Sequence, residues 1–229
     1  MRKVRLYVDK SISFGAYLEL NPQQSHYIIN VMRLGKHDNI FLFNGKDGEW
    51  LSEITDISRK SVQVILKECI KEQKNEETLY LYCAVVKSIA LNNIVRQATE
   101  MGVTCFQFIL TKHTVIRSIN LERAKLQAIE AAEQCERMDI PKILPPISFG
   151  DLSLHSQNKN FILCDKTGND DKILKNEKDT AIIVGPEGGF SDDELIFTSQ
   201  KLSLGKRVLK VDTAVVAALA YLAASTKKY

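Results

Sequence analysis

The sequence predicts an α/β protein in which a small domain of short strands precedes a larger domain built on a mainly parallel sheet. Three observations lead there. From residue 79 onward, short apolar runs alternate with longer stretches of helical periodicity, the pattern that places helices between parallel strands. The first 70 residues instead hold several short β-rich runs around one helical stretch. Between the two lies KEQKNEET, residues 71 to 78, which has no apolar side chain and reads as a linker. The boundary is drawn there, giving domains 1–72 and 73–229, and a chain of 229 residues is long enough for two.

In the first domain the predicted strands are VRLYVD, AYLEL, NIFLFNG, EWLSEITDI and SVQVILKECI, with the helix in NPQQSHYIINVMRL. NGKDGEW between two β-rich runs is a hairpin signal. In the second, LYLYCAVV (79–86) is a continuous apolar run of the kind buried on both faces of a sheet. The helix after it repeats apolar residues at Leu91, Ile94, Val95, Ala98 and Met101, and Gly102 suits the residue just past its end. Then follow strand FQFIL, helix LERAKLQAIEAAEQCERM, strand FILC, a helix around DDKILKN, strand AIIV, helix SDDELIFTSQKL, strand RVLKV and helix TAVVAALAYLAAS.

Composition narrows the function classes. The net charge is only +3, but residues 1 to 36 carry six basic side chains against Asp9 and Glu19, which suggests a modest basic face. The five cysteines are widely spaced without a CxxC pair and the four histidines are scattered. Reduced thiols in a cytoplasm are therefore expected, and no metal. MRKVRLYVDK has no apolar leader pattern, and the longest apolar run, Ala214 to Ala224, is 11 residues, against roughly 20 for a membrane span. A cytoplasmic protein without membrane contact is expected.

The sharpest local signal is GPEGG, residues 185–189, at the end of AIIV: three of only 11 glycines fall within five positions. Ligands of open parallel sheets bind beyond the carboxyl ends of strands, and glycine lets the backbone approach a ligand or take positive φ. Ser191 and Glu194 form an S-x-x-E capping box for the next helix, whose first turn is acidic through Asp192 and Asp193. Acids at a helix start repel phosphate, and the chain lacks both GKS/GKT and GxGxxG, which disfavours a nucleotide-phosphate enzyme. A nucleoside-type ligand gripped by backbone atoms fits better, with a simple strand-to-helix turn as the alternative. TAVVAALAYLAAS is apolar on every side, so it needs cover all round, and packing on a second copy of the chain would supply it, with packing inside one copy as the alternative.

GPEGGFS, LG-x-R-x-L-x-x-x-TA and EAAEQCER-x-x-x-P occur together and in order, and the chain resembles the RsmE family. The likeness runs nearly end to end, through Arg5 in RLYV, His26 and Arg33 in HYIINVMR, Lys87, Glu100 and Gly102, Arg117 and Ser118 in IRS, and Glu130, Gln134, Arg137 and Pro141. It implies a PUA-like β-barrel RNA-binding domain followed by a SPOUT-type, trefoil-knotted α/β domain that forms a homodimer. It also implies S-adenosylmethionine-dependent methylation of uridine N3 in 16S ribosomal RNA, as free RNA or within the assembled small subunit. The donor site implied takes in Leu163 and Cys164, then Gly185, Pro186, Glu187, Gly188 and Gly189, and finally Leu204, Leu209, Val211, Thr213 and Ala214. Three positions depart from the family pattern: Lys210 and Asp212 stand where arginine and glutamate are usual, and His37 where glycine is common.

The reaction assigns roles. Uridine N3 carries an imide proton on the base-pairing edge, so the base must be unpaired and the developing anion stabilised. Arg137 and Arg117 are the expected stabilising cations, with Gln134, three residues before Arg137 on one predicted helix, orienting the base. Arg137 could instead complement the helix dipole. Glu187 could take the proton or brace the loop. Arg5, His26 and Arg33 are expected on RNA phosphates. Related readings are methylation of a ribose 2′-oxygen or a tRNA base, or an RNA-binding assembly factor without catalysis.

Overall fold

A computed structural model of the chain describes residues 4–74, 77–155, 159–169 and 179–225. It divides into two compact units, Met1–Asn75 with Ala132–Ile140, and Glu76–Ala131 with Pro141–Tyr229. A boundary drawn along the chain at 72 does not capture this division, because residues 132–140 group with the first unit.

In the first unit β1 (Arg5–Tyr7), β2 (Tyr17–Glu19), β3 (Asn39–Phe43), β4 (Glu49–Ile57) and β5 (Val62–Lys71) make one sheet, ordered β1-β3-β4-β5-β2. Only β1 and β3 pair in parallel. Alternation builds its core: Val62, Val64 and Leu66 of β5 are buried with Ile40, Leu42 and Ile54, while Gln63 and Lys67 face out.

The helix predicted over 21–34 changes character partway. Asn21 and Gln24 form a capping box for α1 (Pro22–His26), with Pro22 starting the helix. The chain then widens into a π-helix, Tyr27–Met32, and stops at Arg33, which takes a left-handed φ of 54°. Ile28 enters the core, whereas His26, Asn30 and Arg33 stay exposed.

Arg5 joins residues 132–140 to this sheet. Its guanidinium is 5% exposed, pairs with Glu49 and donates to the carbonyls of Ala132, Glu133 and Arg137. The backbone N–H of Tyr7 adds a bond to the Glu133 carboxylate at 2.9 Å.

The second unit is a six-stranded parallel sheet ordered β11-β9-β10-β6-β7-β8. Its strands are β6 (Leu79–Ala84), β7 (Cys105–Leu110), β8 (Lys142–Ser148), β9 (Asn160–Asn169), β10 (Thr180–Val184) and β11 (Lys201–Leu202). The helices are α2 (Ser88–Glu100), α3 (Leu121–Gln134), α4 (Asp192–Leu195) and α5 (Val211–Ser225). β10 is buried at every position, as a central parallel strand requires. α5 turns Val211, Val215, Ala218, Leu219 and Leu222 inward and packs on α2 and β10.

Two local expectations change here, and one strand forms that was not expected. KILPPIS is a strand despite its two prolines, because β8 lies at the edge of the sheet where a missing donor is tolerated. The helix expected over 191–202 ends at Leu195, since Phe197 turns into an aromatic cluster with Phe149 and Phe161, and Thr198 donates to the Phe161 carbonyl. RVLKV is not a strand, and β11 forms earlier, at Lys201–Leu202. The helix expected around DDKILKN lies outside the described residues.

Candidate active site

β10 and β6 end within one residue of each other, while β9 runs on past them to Asn169. Val184, the last residue of β10, pairs in register with Cys83 of β6 on one side and Cys164 of β9 on the other. The segments leaving β10 and β6 therefore start beside each other, about 4.8 Å apart, with β9 continuing past the end of β10. Asp165 and Lys166 follow Cys164, Gly185–Phe190 follow β10, and Leu204–Leu209 precede α5. With Val211 and Ala214 of α5 they enclose a cavity of about 260 Å³.

Ten of the twelve residues expected to hold the methyl donor line this cavity: Cys164, Gly185, Pro186, Glu187, Gly188, Gly189, Leu204, Leu209, Val211 and Ala214. Leu163 is fully buried in β9 and Thr213 does not line it. Asp165 and Lys166 of β9 and Phe190 also line the cavity without having been expected, and Lys206 and Arg207 join them from within the loop expected over 204–214. Their only signal was adjacency to the motif residues.

The shape of the glycine loop follows from its neighbours. Gly189 takes φ of +72°, which glycine adopts without strain. A Cβ on Gly188 would stand 3.1 Å from Cβ of His113, and one on Gly185 would meet the Phe190 ring at 2.8 Å. The His113 Nδ1 sits 3.1 Å from the Gly188 carbonyl and 3.2 Å from that of Gly189.

Glu194 ties two loops together. One oxygen accepts the Ser191 N–H at 2.9 Å, completing the expected capping box, while the other accepts the Lys112 N–H, in the segment after β7, at 2.8 Å. Asp192, Asp193 and Glu194 fill the first turn of α4, so the helix start beside the cavity is negative and unsuited to phosphate.

The walls are chiefly apolar, from Val184, Pro186, Leu204, Leu209, Val211 and Ala214. Burial pushes the Cys164 thiol up to about 12, so at neutral pH it is an uncharged wall rather than a nucleophile. Glu187 is exposed, and its carboxylate accepts no hydrogen bond among the described residues. A loop-bracing role for it therefore finds no support in the geometry.

The other expected site residues divide between the units. Arg117 is exposed, in the second unit. Gln134 and Arg137 belong to the first, and they do not share a helix face, because α3 ends at Gln134 and Glu136 takes a left-handed φ of 63°. Gln134 is exposed, whereas Arg137 is 7% exposed and grips Asp139 through two bonds of 2.7 and 3.0 Å. His26 and Arg33 are exposed. Arg5 is not, and its buried guanidinium, already engaged by a carboxylate and three carbonyls, does not fit the expected phosphate contact. Among the described residues no cluster of His, Cys, Asp or Glu could hold a metal, and no helix is long and apolar enough to cross a membrane.

Comparison with known proteins is consistent with this layout. A family model described as an RNA methyltransferase domain matches residues 72–223, and one described as an RNA methyltransferase PUA domain matches residues 20–67. The ribosomal RNA small subunit methyltransferase E of Rickettsia conorii is 35% identical, covering 96% of this chain and 95% of that protein. Its counterpart from Synechocystis is 34% identical, over 94% of this chain and 76% of the relative. A Legionella pneumophila protein solved with bound S-adenosylmethionine superposes with a TM-score of 0.88 at 29% identity, over 99% of both chains.

Proposed function

Because the chain belongs to the family of ribosomal RNA small subunit methyltransferases E, we propose that it methylates N3 of a uridine in 16S ribosomal RNA. The donor is S-adenosylmethionine. The observation that carries this reading is the cavity at the end of β10 and beside β9, where apolar walls and glycine backbone stand beside an acidic helix start. That chemistry suits a nucleoside carrying a sulfonium.

When bound, S-adenosylmethionine supplies an already activated methyl group. The protein's work is then positioning. Backbone groups of Gly185–Gly189 and the side chains of Leu204, Leu209, Val211 and Ala214 would hold the adenosine. Asp165, with Lys166, Lys206 and Arg207, gives its ammonium and carboxylate opposite charges to meet. Glu187 is assigned to accepting the N3 proton, a reading supported by its place in the cavity lining and by a carboxylate that accepts no hydrogen bond among the described residues. Arg117 and Gln134 are assigned to stabilising and orienting the uracil anion. Arg137 is assigned the same chemistry, acting with Asp139 beside it. His26 and Arg33 are assigned to RNA phosphates.

The chain acts as a homodimer in this reading, with the trefoil threading of its family. Beyond its buried stripe, α5 presents Ala217, Ala220, Tyr221 and Ala224, a further apolar surface suited to a second copy. Its site of action is the cytoplasm, where its RNA is.

The test is methyl transfer from labelled S-adenosylmethionine to small ribosomal subunits lacking the modification, with nucleoside mass spectrometry of the product. 3-Methyluridine is expected. A 2′-O-methylated nucleoside would keep the fold reading and overturn the substrate, and donor binding without transfer would favour an assembly factor. Arg137→Ala should lower turnover far more than donor affinity; an unchanged rate removes it from the chemistry.

A further inference from the structure

We propose that a second cavity in the methyltransferase unit is a subsite for one ribonucleotide of the RNA substrate. Its phosphate meets Lys87 and Arg123, and its base lies against Ile89, Ile116 and Ile119. The cavity measures about 470 Å³ and lies between the segment after β6 and the segment after β7. The inference rests on the RNA methyltransferase reading above.

Position is the first argument. β6 is the neighbour of β10 in the sheet and β7 the neighbour of β6, all parallel. The second cavity thus opens from the same sheet edge as the donor cavity, one strand further along. Glu194 links the two edges, since its carboxylate holds both the start of the segment after β7 and the segment after β10.

Chemistry is the second. Lys87 and Arg123 are exposed, and neither side chain makes an ion pair among the described residues. No acidic side chain lines the cavity. Asn92, Ser118 and Asn120 add groups that both donate and accept, as base edges and ribose hydroxyls require. The isoleucines supply an apolar wall, with Ile89 78% exposed and open to a base. α2 begins at this cavity with no acid in its first turn and no side-chain cap, the reverse of α4. A helix start of that kind adds to the positive potential that Lys87 and Arg123 create. Cations, base-edge groups and an apolar wall in one cavity describe a nucleotide rather than a free anion.

The test compares the wild-type chain with Lys87→Ala, Arg123→Ala and Ile89→Ser. The probe is a fluorescein-labelled oligouridylate, read by anisotropy across a salt series, and methyl transfer to unmodified small subunits is measured beside it. Because both cations meet one phosphate, each charge variant should flatten the slope of log Kd against log salt by part of about 0.7, the whole of one single-strand phosphate contact. It should also raise KM for the subunit several-fold while kcat and S-adenosylmethionine affinity hold. Ile89→Ser should weaken oligouridylate binding with the slope unchanged. Wild-type slope and KM in both charge variants would overturn the subsite, as would a loss confined to donor affinity. If the wild-type chain binds oligouridylate but transfers no methyl group, the proposed function fails while the slopes still decide the subsite.

Discussion

The Nε of Arg5 donates to Oε1 of Glu49 at 3.0 Å, with the two side chains only 2% and 1% exposed. The same guanidinium stacks over Phe43 at 4.4 Å and holds the carbonyls of residues 132, 133 and 137. Arg5 is thus the post on which residues 132–140 are hung, which explains why an arginine so near the chain start belongs to the matched motif set.

Arg5→Ala removes the cation from a buried pair and releases three carbonyls at once. A loss of about 3 to 5 kcal/mol is expected, read as a lower denaturant midpoint. Arg5→Lys should recover only part of it, because an ammonium cannot reproduce the planar fork. Near-wild-type stability in Arg5→Ala would contradict this role.

Gly188 separates a ligand cradle from a turn. Its missing Cβ would stand 3.1 Å from His113, so Gly188→Leu must displace either that histidine or whatever the cavity holds. Affinity for S-adenosylmethionine by calorimetry should fall by about tenfold or more, equivalent to ~1.4 kcal/mol, with the melting temperature of the unliganded protein little changed. Retained affinity would mean that GPEGG is only a turn.

His37 is one of the three departures from the family pattern, and its backbone explains why glycine is usual there: φ is +73°. The residue is anchored by its N–H to the Ile54 carbonyl, and its ring meets Glu53 at 2.9 Å. Left-handed backbone costs a non-glycine residue about 1 to 2 kcal/mol, and an exposed side-chain hydrogen bond offsets little of that. His37→Gly should therefore raise the urea midpoint slightly, and a lower midpoint would show that the Glu53 contact outweighs the backbone.

Asp47 predicts a pH dependence. The Ile12 N–H first, then the Asn44 amide and the Ser11 hydroxyl, hold its carboxyl below the usual range. A group lowered in the folded state stabilises above its unfolded pKa and loses that contribution as pH falls through the folded one. Asp47→Asn should therefore be less stable than wild type at pH 7, and the gap should close towards pH 3. A constant gap would assign the effect to lost geometry rather than to charge.

The α/β alternation, the strand-end glycine loop, the acidic capped start of α4 and the all-round apolar character of α5 were legible in residue order. Each depends on local periodicity or on turn and cap chemistry, which neighbouring residues determine. Ten of twelve donor-site expectations line one cavity for the same reason, since GPEGG and the loop before α5 follow strands of a parallel sheet. What residue order could not decide was set by partners distant along the chain. Phe197 leaves the helical pattern for Phe149 and Phe161, which cuts α4 to one turn. Two prolines sit in β8 because it is an edge strand. Arg5 and Arg137, equally basic in sequence and both expected on RNA or substrate, are buried because Glu49 and Asp139 await them, 44 and 2 residues away. A sequence announces a charge, but only the folded chain decides whether water or a carboxylate receives it, since burial is tolerable where a partner stands within hydrogen-bond reach.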